Sequence, residues 1–206
     1  DDGTWLRTLT RDDVDLRTER IREITATGLV TEDGTDHEFD VILYGTGFHA
    51  SRIAWPMEFV GRDGRELQQE WDGDPRAYLG ITVPGFPNLF LMYGPNTNIV
   101  VNGSIVFFSE CEMRYILGCL ELLVGSGHAG LECRQDVHDA FNETIDAGNA
   151  EMAWGAPNVR SWYKNAKGRV TQNWPFTMLE YWQRTRRPDP ADFVFVDPER
   201  PERRSA

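Results

Sequence analysis

The amino-acid sequence predicts an α/β fold, and three features carry the prediction. Residues 20 to 48, RIREITATGLVTEDGTDHEFDVILYGTGF, read as a three-stranded β-meander. Two continuously apolar runs, VILY at 41 to 44 and NLFLMY at 88 to 93, have the pattern of strands buried on both faces. The stretch SIVFFSECEMRYILGCLELLVGSG, starting at Ser104, repeats its apolar residues at helical spacing.

In chain order, Ile21 and Ile24 mark the first strand, Leu29 and Val30 the second, and Asp33 followed by Gly34 is a hairpin signal. The run at 41 to 44 is the expected third strand. It ends on Gly45, Thr46 and Gly47, where paired glycines permit unusual φ and close approach of a backbone or a ligand. No GxGxxG and no amphipathic helix follow, so this turn is not a pyrophosphate cradle; an ordinary tight turn and a ligand contact both account for it. Residues 51 to 85, punctuated by Pro56, Gly61, Gly64, Gly73, Pro75, Pro84 and Gly85, form a turn-rich connector. The second buried strand, at 88 to 93, ends at Gly94 and Pro95. The helix that follows has Asn102 or Ser104 as N-cap and Gly125 and Gly127 as stops. Ile105, Phe108, Tyr115, Ile116, Cys119 and Leu123 form one apolar stripe. Val106, Met113, Leu117, Leu120 and Val124 form a second, which predicts burial nearly all round in its latter half. A polar loop from Asn96, Thr97 and Asn98 to Asn102, Gly103 and Ser104 precedes this helix. The free N–H groups and positive dipole end there suit an anion, or a ring that acquires negative charge. An ordinary capped core helix explains the same residues. A shorter helix is expected from Gln135 to Asn149, with Val137, Phe141 and Ile145 on one face.

The segment from 155 to 187 differs in kind. Arg160, Lys164, Lys167, Arg169, Arg184, Arg186 and Arg187 face Glu180 alone, a local +6 in a chain of −12. Trp162, Tyr163, Trp174, Phe176, Tyr181 and Trp182 are interleaved with them. Such a stretch is either a solvated face over core aromatics or a cover for an anionic cofactor. The overall charge and a pI near 4.8 argue against nucleic acid or an anionic membrane as partner. No apolar run reaches the ~20 residues that span a bilayer. Cys111 and Cys119 lie too far apart on one helix to bridge, and Cys133 cannot pair with both, so buried free thiols in a reducing, cytoplasmic setting are expected. His37, His49, His128 and His138 are scattered, without metal or catalytic spacing. The Pro- and charge-rich end is expected to fray after about Val196. The opening DDGTWL, without methionine, reads as the interior of a longer protein of which this is the C-terminal part.

Four stretches, DVILYGTGFHASRIAWPMEFVGRDG, RAYLGITVPGFPNLFLMYGPNTN, GSIVFFSECEMRYI and SWYKNAKGRVTQNWP, resemble the C-terminal portion of class B flavoprotein monooxygenases, and most closely Baeyer–Villiger enzymes of the 4-hydroxyacetophenone monooxygenase type. The resemblance covers most of residues 20 to 187, and the run from Arg76 to Asn98 and SWYKNAKGRV are its most specific parts. It implies the C-terminal part of a two-dinucleotide-binding-domain flavoprotein. Residues 1 to 132 would end the FAD-binding domain, and 133 to 206 would form a helical, irregular covering segment. It further implies FAD and NADPH as cofactors, and a ketone and O2 as substrates. The product would be an ester or lactone, made through a C4a-peroxyflavin. By motif position, Gly45, Thr46, Gly47 and Phe48 occupy the linker between the FAD and NADP domains, Gly45 standing where alanine is usual. Gly94, Pro95, Asn96, Thr97, Asn102, Gly103 and Ser104 lie against the flavin ring, and Trp162 reaches toward the NADP ribose. The dinucleotide-binding GxGxxG motifs, the family's FxGxxxHxxxWP-type fingerprint and its catalytic arginine are missing from these residues and are expected upstream. Hence no catalytic or metal residue is assigned here, and the chain alone is expected to be inactive. N- or S-oxygenation is the alternative chemistry and a non-catalytic module the alternative class. A flavin-dependent disulfide reductase would need a CxxC or a redox His–Glu pair, and neither is visible.

Overall fold

The computed structural model describes residues 2–100 and 103–197. The chain divides into two compact units, Asp1–Phe48 and His49–Ala206.

The first unit holds a short helix, α1 (Thr4–Thr8), and an antiparallel meander of β1 (Ile21–Ile24), β2 (Gly28–Thr31) and β3 (Asp36–Glu38). Ile24 pairs with Leu29, and Val30 with Asp36. The central strand β2 alone is largely buried. Its Gly28 is required by proximity, because a Cβ there would sit 1.8 Å from the His37 carbonyl oxygen. The β2–β3 turn forms at the expected place. Gly34 supplies φ +85, and the Asp33 carboxylate accepts from the Thr31 hydroxyl at 2.5 Å and the Thr35 N–H at 3.0 Å. Those bonds favour the ionised form and draw the Asp33 carboxyl down to about 2. The third strand is a correction: β3 lies at Asp36–Glu38, and residues 41 to 44 form none. A doubly buried strand needs ladder partners on both sides. Among the described residues 41 to 44 have none, and Leu43 is 90% exposed.

In the second unit the expected connector builds a small core of its own. Helix α2 (Leu67–Trp71) turns Leu67 and Trp71 onto Ala77, Val83, Phe86 and Leu91, and the Trp71 indole N–H donates to the Arg76 carbonyl at 3.0 Å. Residues 88 to 93 are a second correction. Asn88 and Tyr93 take φ of +62 and +54, which breaks the extended run at both ends, and no strand forms.

Helix α3 (Ile105–Ser126) matches expectation in extent. Ser104 is its N-cap, accepting from the Phe107 N–H at 3.4 Å, and Gly127 at φ +73 ends it, with Gly125 still helical. Phe108, Cys111, Glu112, Tyr115, Ile116 and Cys119 are buried. The second stripe is a third correction, because Val106, Met113, Leu117, Leu120 and Val124 are exposed, Val124 at 83%. No element among the described residues covers that face. Strand β4 (Gly130–Cys133), helix α4 (Gln135–Ala150) and helix α5 (Met178–Arg184) follow, and strand β5 (Phe193–Val196) pairs antiparallel with β4. In β5 Phe193 is buried and Val194 exposed, with Phe195 and Val196 between the two.

One core joins these elements. Phe108 stacks on Tyr181 at 4.2 Å, Trp174 meets Tyr181 edge-on at 5.0 Å, and Leu131, Cys133, Phe141, Ile145 and Phe193 close the cluster. The 132/133 division expected for the longer protein falls inside β4, where residues on both sides share this core. All three cysteines are buried and free. Burial pushes the Cys119 and Cys133 thiols up to about 12, so they behave as small hydrophobes rather than nucleophiles. No helix among the described residues is long and apolar enough to cross a membrane.

Phe108→Ala should destabilise the second unit by about 3–5 kcal/mol, through lost transfer energy plus a cavity beneath Tyr181. Urea denaturation followed by tryptophan fluorescence measures this.

Candidate functional site

The segment SWYKNAKGRV folds on itself as a tight hairpin. Gly168 takes φ +82 and donates to the Asn165 carbonyl at 3.0 Å. The Asn165 side-chain oxygen accepts from the N–H groups of Lys167 at 3.0 Å and Arg169 at 2.9 Å, and Lys164 bridges Val170. An Asn followed by Gly three positions later is the local signal for this turn.

The hairpin's outgoing arm pairs with the turn at 94 to 98. Asn96 N–H donates to the Thr171 carbonyl at 3.0 Å, Asn98 N–H to Gln172 at 2.8 Å, and Trp174 N–H to Asn98 at 2.8 Å. Side chains repeat the message. The Asn96 amide donates to the carbonyls of Val170 at 2.9 Å and Asn173 at 3.2 Å, and Asn98 donates to the Asn173 side-chain oxygen at 2.8 Å. The turn is equally tight from behind. A Cβ on Gly94 would lie 2.1 Å from the Gly80 carbonyl oxygen, and one on Gly80 would lie 2.1 Å from the Thr97 methyl.

Arg169 holds the assembly together. Its side chain is 10% exposed, and it donates to Asp146 at 2.7 Å, Asp74 at 3.3 Å, the Pro75 carbonyl at 3.0 Å, the Asn96 side-chain oxygen at 3.0 Å and Asn142 at 3.4 Å. Arg76 spans the same two acids, Asp146 at 2.9 Å and Asp74 at 3.2 Å. Four segments distant in sequence therefore meet at one guanidinium. Other cations of the basic segment are also spent internally. Lys167 pairs with Asp72, Arg184 with Glu180, and Lys164 donates to the Ala156 carbonyl.

The expected site residues fall into four places. Gly94, Pro95, Asn96 and Thr97 are buried in the pinned turn. Gly103 and Ser104 are exposed at the start of α3, and Asn102 lies outside the described residues. Trp162 is 62% exposed, its ring 4.9 Å from Tyr163, and its carbonyl accepts from the Gln172 amide at 2.9 Å. Gly45, Thr46, Gly47 and Phe48 belong to the first unit and are exposed there. The structure thus joins the turn to the segment that carries Trp162, through Asn98 and Gln172. Two residues escaped assignment from sequence: Arg169, counted only among the basic residues, and Glu112, an acid on the apolar stripe of α3, which accepts from the Tyr93 N–H at 3.0 Å.

No family model matches the chain. It is 34% identical over 197 residues to a Baeyer–Villiger monooxygenase of Streptomyces coelicolor, covering 95% of this chain and 38% of the relative. It is 37% identical over 185 residues to the FAD-binding monooxygenase ktnD of Aspergillus niger, covering 88% and 30%. Among solved structures, oxidised steroid monooxygenase bound to NADP superposes with a TM-score of 0.75 at 27% identity, covering 95% of this chain and 37% of that one. Over most of its length the chain is similar to part of proteins named as Baeyer–Villiger and FAD-binding monooxygenases. It spans about a third of the length of the monooxygenase relatives it matches.

Arg169→Ala should cost about 3–5 kcal/mol, because the Pro75 carbonyl and the buried Asn96 and Asn142 oxygens lose a donor and Asp74 and Asp146 are left with Arg76 alone. Arg169→Lys should recover only part of this, since one ammonium cannot reach five acceptors. Chemical denaturation of the two variants beside the parent chain measures the order.

Proposed function

We propose that the chain is the C-terminal part of an FAD- and NADPH-dependent monooxygenase that converts ketones to esters or lactones. Residues 94 to 98 and the start of α3 would lie against the flavin. The observation that carries this reading is the pinned turn leading into the exposed N-terminus of a 22-residue helix. Relatives named as Baeyer–Villiger and FAD-binding monooxygenases support it.

The residues present fit a flavin ring. Gly103 and Ser104 leave the helix start uncovered, and the first N–H groups of a helix have no intrahelical acceptor. The dipole there favours negative charge, which a reduced flavin develops along its N1–C2=O edge. When bound, the flavin supplies the oxygen chemistry. The chain's own residues orient and shield. The turn at 94 to 98 would fix the ring's approach to α3, and the 155–187 segment would cover the pair of cofactors and keep water out, with Trp162 on the side of the NADP ribose. Gly45, Thr46, Gly47 and Phe48 would carry the chain between the FAD and NADP domains. Residues up to 132 would complete the FAD-binding domain and 133 to 206 would cover it, with β4 tying the two together. No residue of this chain is given a catalytic role.

Two substitutions in the flavin-loaded, longer protein test the reading. A Gly103 side chain would press on Ile99, so Gly103→Ala is the steric control. Gly103→Asp should lose flavin well beyond that control, as read from absorbance per protein, and full occupancy would place α3 elsewhere. Trp162→Ala should raise the KM for NADPH several-fold with FAD content intact. Equal loss of both cofactors would remove Trp162 from the nicotinamide side.

A further inference from the structure

Glu112 is a carboxyl group in an unusual position. It is 0% exposed on the core face of α3 and forms no ion pair among the described residues. The groups around it are the Tyr181 phenol from α5, Tyr93 and the Thr97 hydroxyl from the turn, and the Cys111 thiol on its own helix. An isolated carboxylate without a counter-ion is among the most costly groups to bury.

The hydrogen-bond inventory shows how the cost is avoided. The Tyr181 hydroxyl has one proton and lies 2.9 Å from the Leu79 carbonyl, which can only accept. It lies 3.4 Å from Glu112 Oε1. The proton goes to the nearer carbonyl and leaves the phenol oxygen as an acceptor. The Thr97 hydroxyl is placed alike, spending its proton on the Gly94 carbonyl at 2.9 Å. On its other oxygen, Oε2, Glu112 accepts from the Tyr93 N–H at 3.0 Å. A carboxyl that accepts on one oxygen and meets an acceptor on the other satisfies both only as an acid with its proton on Oε1.

We infer that Glu112 is kept as a neutral carboxylic acid, and that this uncharged peg positions the 93–97 turn on α3. Burial also pushes the Glu112 carboxyl up, in the same direction. The inference deepens the flavin reading and rests on it in one respect: a neutral peg fixes the turn without placing negative charge behind a ring that becomes anionic on reduction.

Glu112→Gln is the matched test, because an amide donates on one side and accepts on the other as the acid does. In the full chain, denaturation midpoints of the parent and Glu112→Gln are compared across pH. The folded state holds a proton that the unfolded state releases above about 4.3, so the parent should lose stability as pH rises from there. The two should match at acid pH, and Glu112→Gln should lead increasingly toward neutrality. Parallel profiles, or a parent that gains on the variant as pH rises, would overturn the inference. So would failure of Glu112→Gln to fold. Infrared difference spectra should show a protonated-carboxyl stretch that Glu112→Gln removes; carboxylate bands alone would overturn it. In the flavin-loaded, longer protein, Glu112→Gln should leave the flavin potential unchanged, while Glu112→Leu, which strands the Tyr93 N–H, should lower occupancy. A raised potential in Glu112→Gln, or full occupancy in Glu112→Leu, counts against the peg. If no flavin binds to any form, the flavin reading fails, and the denaturation and infrared results still decide Glu112.

Discussion

The Arg169 guanidinium is the constraint on which the second unit's site depends. A buried cation is tolerated only when its charge and its donors are matched. Here Asp74 and Asp146 match the charge, and Pro75, Asn96 and Asn142 take the remaining donors. The demand for partners works outward. It draws the loop before residue 77 onto α4, and both onto the hairpin and the turn. Asn96, held at φ +59, is kept there by bonds to Arg169, Val170, Thr171 and Asn173. The backbone of the turn is therefore set by charge matching some distance along the chain and not by local preference.

Much of the architecture could be read from the residues, because local chemistry sets it. The Asp33 and Gly34 turn, the Ser104 cap and the Gly127 stop each act within a few residues of themselves, and all three lie where the pattern put them. The run at 88 to 93 fails as a strand on its backbone, which turns at Asn88 and Tyr93, although Leu91 is buried. The other two failed readings share one cause: the run at 41 to 44 and the second stripe of α3 are apolar, and an apolar run is not yet a buried one. Burial needs a partner surface, and hydrophobicity alone does not name one. Leu43 and Val124 remain open although their neighbours in sequence are those of a core.

The site was half legible for the same reason. A polar loop opening a long helix is a local pattern, and it pointed to residues 94 to 104. The hub at Arg169 is not local, since its acceptors lie at 74, 75, 96, 142 and 146, and composition could only count it as one positive charge among several. Its pairing also changes what the basic segment means. A net +6 fits a solvated face or a cover for an anionic cofactor alike, yet Lys167, Arg169 and Arg184 are engaged by the protein's own carboxylates. Glu112 left a visible trace, an acidic residue in register with Phe108 and Tyr115, which only the proton inventory of the folded core makes intelligible.

The contact between Gly80 and Gly94 has a practical corollary for anyone reshaping this protein. A methyl on Gly94 would strike the Gly80 carbonyl and one on Gly80 would strike the Thr97 side chain and the Pro95 carbonyl, so neither glycine has room for one. A mutant library randomised across the turn would therefore be depleted at these two positions by collapse of the loop, whatever substrate is used for selection. Diversity is better placed at Met92 and Val100, which are exposed on either side of the turn, where side chains can change without prising two backbones apart.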